Sequence, residues 1–174
     1  MTPAVDREVI VAGAGPAGIA TAVALCARAP ALTSRILCLD KASFPRDKPC
    51  GGGLTGHARA ALATLGLGIR VPRVACGVGR IAYRHHTRDV ALGRPVDIVR
   101  RREFDADLVE QARARGIEIV AGEGLASLDV DRHAGLVRIS TSAGRRLTAR
   151  VLVAPSLAAL LSGLLGLASS VSSG

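Results

Sequence analysis

With 174 residues, 49% of them hydrophobic, the chain is long enough to fold as one domain around its own core. The net charge is +9, and 21 of the 23 basic residues are Arg; alongside abundant Ala and Gly, this makes part of the charge compositional, and the rest favours phosphorylated ligands. Aromatic residues are only 2% and no nucleic-acid motif stands out, which speaks against a nucleic-acid partner.

Residues 1–7 read as a short tail. Glu8-Val9-Ile10-Val11-Ala12 is a short apolar run without helical spacing, a buried strand. It leads into Gly13-Ala14-Gly15-Pro16-Ala17-Gly18, a complete G-x-G-x-x-G, and then into Ile19, Ala22, Val23 and Cys26 at helical spacing. Gly13 is expected to make the tight turn, Gly15 to let the backbone approach a pyrophosphate, and Gly18 to bring helix and strand close together. Pro16 suits the first helical turn, and the N–H groups and dipole at that helix start attract phosphate. The next apolar run, 35–39, ends in Asp40, 22 positions after Gly18, where a carboxylate would accept the hydroxyls of an adenosine ribose. Strand, glycine turn, helix and acidic partner together predict a dinucleotide site. The glycine motif begins inside the first apolar stretch, so no signal peptide is expected.

A loop with its own character follows: Lys41-Ala42-Ser43-Phe44-Pro45-Arg46-Asp47-Lys48-Pro49-Cys50-Gly51-Gly52-Gly53-Leu54. Three consecutive glycines let backbone lie against a flat ligand or adopt positive φ. A long loop after an adenosine-binding strand is more often functional than filler. Thr55 is the expected cap of a helix with Ala58, Ala61, Leu62 and Leu65 on one face and Gly66 as its stop.

Short strands are expected at 79–85, 88–92 and 96–99. His85 and His86, neighbours on an expected strand, would point to opposite faces, which argues against joint metal ligation. A helix over 102–115 would turn Phe104, Leu108 and Ala112 inward and end at Gly116. Residues 117–120 read as a third parallel strand, 125–130, 136–140 and 146–149 as an antiparallel meander, and 151–154 as a return to the parallel sheet. The predicted architecture is α/β: a doubly wound, Rossmann-like parallel sheet with an inserted β-meander, spanning 1–154. The four cysteines, at 26, 38, 50 and 76, form no C-x-x-C and no zinc spacing with His; no metal is expected. Cys26 and Cys38 read as core thiols, and a reduced, cytoplasmic setting fits them.

Three motifs carry a resemblance: residues 13–18 with Asp40; Pro45-Arg46-Asp47-Lys48-Pro49-Cys50-Gly51-Gly52-Gly53-Leu54, similar to P-R-x-K-x-C-G-G-G-L; and Val99-Arg100-Arg101-Arg102-Glu103-Phe104-Asp105-Ala106-Asp107-Leu108, similar to V-x-R-x-x-F-D-x-x-L. With them the chain resembles the FAD-dependent geranylgeranyl reductase family, flavoproteins shaped like para-hydroxybenzoate hydroxylase. The resemblance implies that Gly13, Gly15, Pro16, Ala17 and Gly18 hold the FAD pyrophosphate and that Asp40, with Lys41 beside it, serves the adenosine end. It implies that Arg101 reaches the flavin side and that Cys50, Gly51, Gly52 and Gly53 lie near the isoalloxazine ring. The implied reaction is hydride delivery to a prenyl double bond, with a proton to the other carbon and Cys50 as candidate proton donor. NAD(P)H as electron donor, a prenyl lipid substrate and a peripheral membrane contact follow from the same resemblance.

After Ala154 the chain departs from the family pattern. Pro155-Ser156 stands where the family has Ala-Asp-Gly, and the sequence contains no Gly-Asp pair. Residues 155–174 form an apolar, Ser-rich tail with three readings: a helix covering the sheet, a membrane span within the 21 uncharged residues 151–171, or the product of a frameshifted or truncated gene. Three functions stay open: a prenyl reductase, a flavin monooxygenase or halogenase, and a truncated nucleotide-binding module without turnover. The Cys50-Gly51-Gly52-Gly53 run favours the first over the second.

Overall fold

A computed structural model of the chain describes residues 4–155. They divide into two compact units, Pro45–Asp107 and the described residues on either side of it.

The outer unit is built on a six-stranded mixed sheet. Strand β1 (Arg7–Ala12) leads through the glycine turn into α1 (Pro16–Arg28), and β2 (Ile36–Asp40) returns parallel to β1, with Val9 opposite Ile36 and Val11 opposite Cys38. All five residues of β2 are buried, as in a strand covered on both faces. Pro30–Arg35, a 3-10 turn that the sequence reading missed, joins α1 to β2. Ile19, Ala22 and Val23 are buried along α1 as the spacing predicts, while Cys26 is only half-buried. Cys38 is fully buried; burial first, and the neighbouring Cys26 second, push its thiol up to about 12. It is a packing residue with no thiolate chemistry at neutral pH.

Three strands not yet named are β3 (Gly53–Leu54), β4 (Arg73–Tyr83) and β5 (His86–Val99), all in the inner unit. The sheet of the outer unit continues with β6 (Glu118–Ala121) parallel to β2, then β7 (Leu125–Asp131), β8 (Leu136–Thr141) and β9 (Arg146–Val153), in the order β6-β2-β1-β9-β8-β7. The two strands expected at 146–149 and 151–154 are one. β9 pairs antiparallel with β8 along one edge, Val137 opposite Ala149, and parallel with β1 along the other, Val9 opposite Val151. The meander forms the antiparallel half of the same sheet; a strand has two hydrogen-bonding edges, and β9 uses both. Ile10, Leu37, Leu39, Ile139 and Ala149 form a buried cluster drawn from both halves. Each of the larger aliphatic side chains contributes about 1.5–3 kcal/mol on burial.

In the inner unit, α2 (Gly56–Thr64) starts at Thr55, whose hydroxyl accepts from the Ala58 N–H, and ends before Gly66 at φ +66°. Leu62 is buried on it, but Ala61, assigned to the same face, is exposed. The three short strands expected between 79 and 99 are replaced by one long hairpin, β4 and β5, joined by Arg84-His85 and bulged between Cys76 and Val78. His85 sits in this turn rather than on a strand, Arg84 takes φ +53°, and its guanidinium lies over the Tyr83 ring. The division between the units falls within α3 (Arg101–Arg113), on which Phe104, Leu108 and Ala112 are buried as predicted. Gly116, at φ +82°, follows its end.

The readings of residues 156–174 as a sheet-covering helix, a membrane span or a frameshift product lie outside the described residues. Residues 151–153 belong to β9. Among the described residues no helix is long and apolar enough to cross a membrane.

Candidate cofactor site

The glycine turn stands at the carboxyl ends of parallel strands β1 and β2, where open α/β sheets bind their ligands. Gly13 adopts φ +123° and its N–H donates to the Leu39 carbonyl at 2.7 Å, tying the turn to β2. A Cβ at Gly18 would lie 1.7 Å from the Gly13 carbonyl oxygen, so this glycine is demanded by close approach. Gly15 differs from both. It is the N-cap of α1 at φ −72°, ψ −179°, extended backbone open to any residue, and no side chain caps the helix behind it. Pro16 takes the first helical position, followed by Ala17. An uncapped helix start leaves backbone N–H groups and the positive dipole end for an external anion.

Asp40 is buried, 8% exposed, at the end of β2. Its Oδ2 accepts the Ala14 N–H at 2.9 Å and its Oδ1 the Ala42 N–H at 3.0 Å. The carboxylate thus shapes the glycine loop itself. Asp40→Ala should strip two backbone donors of a charged acceptor and cost about 2–3 kcal/mol of stability, read as a lower urea midpoint. A midpoint equal to wild type would return Asp40 to a ligand-only role. Lys41, next to it, is exposed, and its backbone runs beside Gly124.

In the inner unit the second and third motifs are joined to each other. Gly52 takes φ +68°, its carbonyl accepts the Val99 N–H at 3.0 Å, and a Cβ there would lie 2.0 Å from the Val99 oxygen. Gly53 pairs with Ile98 in the β3–β5 ladder, whereas the space beside Gly51 is open. Of the two uses expected for the glycine run, positive φ is realised at Gly52, while Gly53 pairs in the ladder and Gly51 is left as the open position.

Side chains make the second link. Asp105 on α3, fully buried, accepts Nε and Nη2 of Arg101 at 2.7 and 2.8 Å and receives Nη2 of Arg46 at 3.1 Å. Arg101 shares an open groove with the exposed Cys50. The Gly52 N–H first, and Arg101 second, hold the Cys50 thiol below the ordinary cysteine range. Cys50 and Arg101 line an open groove of about 620 Å³ with Lys48 and Arg100. The sequence reading found Cys50 and Arg101 but missed Arg46 and Asp105. The Arg101/Asp105 spacing of four on one helix was the available signal.

No family model matches the chain. Over 63 residues it is 57% identical to a menaquinone reductase of Mycobacterium tuberculosis; the match spans 36% of this chain and 14% of the relative's length. Among solved structures it superposes on the p-nitrophenol 4-monooxygenase PnpA of Pseudomonas putida DLL-E4 with a TM-score of 0.67 and 23% identity, over 85% of this chain and 40% of that one. The halogenase PltM, solved with phloroglucinol and FAD, gives a TM-score of 0.67 at 18% identity over 86% and 34% of the two chains. The fold is therefore the mixed α/β, parallel-rich fold of FAD-dependent flavoproteins.

Proposed function

We propose that the chain binds FAD and forms the cofactor-holding part of a flavin-dependent oxidoreductase acting on a prenyl-bearing quinone or related lipid. The observation that carries this reading is the uncapped start of α1 facing the glycine turn, with Asp40 fixed on the Ala14 amide beside it. Pyrophosphate suits that helix start. Gly13 and Gly18 keep the cradle tight, and Gly15 keeps side-chain bulk away from the phosphates. Asp40 and Lys41 serve the adenosine end. By resemblance, Arg101, Cys50, Gly51 and Gly52 serve the flavin end.

When bound, FAD supplies hydride chemistry that no side chain of the chain can supply. The chain's own groups position it, and Cys50 is suited to hold a proton for a substrate carbon. A menaquinone carries a prenyl chain, so likeness to a menaquinone reductase supports a substrate with both a quinone ring and prenyl double bonds. Reduction of a prenyl double bond, as in geranylgeranyl reductases, is the reading that the Cys50-Gly51-Gly52-Gly53 run favours. NAD(P)H as electron donor and contact with a membrane surface belong to the same proposal. The second reading, a flavin monooxygenase or halogenase, is favoured by the structural likeness to PnpA and PltM.

Calorimetry with ADP and with FAD tests the reading. Because Gly15 has an extended backbone, Gly15→Val is expected to fold while placing two methyl groups where the phosphates approach. Wild type should bind both ligands, and the variant about tenfold or more weakly, a loss of about 1.4 kcal/mol or more. Equal binding by the two proteins would sink the assignment.

A further inference from the structure

Asp105 has no place in the site as the sequence describes it, yet two arginines from separate parts of the inner unit converge on it. Its carboxylate is fully buried, and the Arg46 and Arg101 side chains are 15% and 18% exposed. Asp105 grips Arg101 along the Nε–Nη2 edge. A guanidinium is planar, so fixing one edge fixes the direction of the rest of the fork. Arg101 and Cys50 line the same groove. Arg46 meets the carboxylate from the loop that also carries Cys50, so one carboxylate holds both the loop and the arginine that shares the groove with its cysteine.

We propose that Asp105 is a positioning residue: by clamping Arg101 and Arg46 it aims the Arg101 guanidinium at the Cys50 sulfur, so that Arg101 receives the charge left when Cys50 gives up its proton. In the reductase reading, on which the catalytic meaning of this proposal rests, the Cys50 S–H bond breaks and a C–H bond forms at the carbon that does not take the hydride. The sulfur keeps the electron pair, Arg101 and the Gly52 N–H hold the resulting thiolate, and solvent returns the proton. An acid works best when its strength matches the working pH, which is what a positioned cation adjusts. The other charged groups bordering the groove are Asp47 and Lys48 on the loop, and Arg100, Arg102 and Glu103 around the start of α3.

The experiment is the pH profile of iodoacetamide alkylation at Cys50, followed by peptide mass analysis so that each of the four cysteines is read separately. Wild type should react with a midpoint below that of the same protein in denaturant. Arg101→Lys keeps the charge but loses the fork; its midpoint should move up, slowing Cys50 by about threefold or more on the acidic side of the profile. Asp105→Asn separates aiming from simple charge. Removing a negative charge near the sulfur would by itself move the midpoint down, whereas loss of aim moves it up. An upward move in both variants is the expected result. No change in Arg101→Lys, or a downward move in Asp105→Asn, overturns the proposal; if Asp105→Asn does not fold, Arg101→Lys decides. FAD calorimetry on the same preparations keeps the two readings apart, because the thiol profile needs no cofactor and a failure to bind FAD leaves it unchanged.

Discussion

Gly18→Ala should lose about 3–4 kcal/mol of unfolding free energy, among the larger effects of a single substitution. The added Cβ would sit 1.7 Å from the Gly13 carbonyl oxygen and 2.9 Å from its carbon. Both are backbone atoms, so no rotamer change relieves the overlap. If Gly13 retreats, its φ of +123° and its hydrogen bond to the Leu39 carbonyl are disturbed, and the turn loosens from β2. If α1 retreats instead, Ile19, Ala22 and Val23 leave a core in which they are 0–3% exposed. Either movement also spoils the helix start that faces the proposed pyrophosphate, so nucleotide affinity should fall with stability. Gly51→Ala is the control. Nothing lies within 4 Å of the Cβ it would add, and its unfolding midpoint should stay within about 0.5 kcal/mol of wild type. Urea unfolding of the two variants side by side checks the pair, and a Gly18→Ala midpoint as close to wild type as that of Gly51→Ala would refute the close-approach argument.

What the sequence revealed of the site was its local chemistry. The strand, glycine turn and helix at 7–28 are contiguous, and the conformations that demand Gly13 and Gly18 follow from the spacing of the motif. Thr55 as a cap and the buried stripe of Phe104, Leu108 and Ala112 are likewise local, set by one helix and its period. What stayed hidden depends on pairing between distant segments. Residues 146–153 look like two short strands because their burial alternates imperfectly, and only the partners on either edge, β8 and β1, make them one. The hairpin of β4 and β5 was underestimated because Gly77 interrupts the alternation at a bulge that the partner strand absorbs. Asp40 was legible as a carboxylate at a strand end, but its two backbone donors come from residues brought together by the turn. Asp105 was the hardest to see. An acidic residue four places after an arginine usually means a solvated helical pair, and only the arrival of Arg46 from the loop shows that the pair is buried.

That burial sets the other large expected effect. Asp105→Ala should cost about 2–4 kcal/mol, because removing one member of a buried ionic cluster strands its partners rather than merely deleting an attraction. The partners here are two guanidiniums, 15% and 18% exposed, which lose their shared acceptor and are left side by side as like charges. The figure lies below that of a wholly buried pair because both arginines keep some contact with water. Arg46→Ala should cost less, since Asp105 then keeps the bidentate contact to Arg101. The Arg80–Asp89 pair on the hairpin provides the contrast. It has comparable geometry, 2.7 Å, but its side chains are 70% and 49% exposed, and Asp89→Ala should leave the unfolding midpoint where it is. Added salt sharpens the distinction, because buried pairs are screened far less than exposed ones, so the Asp105→Ala deficit should persist at high ionic strength. Chemical unfolding of the three variants at low and high salt is the measurement. If Asp105→Ala proves as stable as Asp89→Ala, Asp105 carries no more than an ordinary helical ion pair, and the clamp joining the two motifs would have to be abandoned.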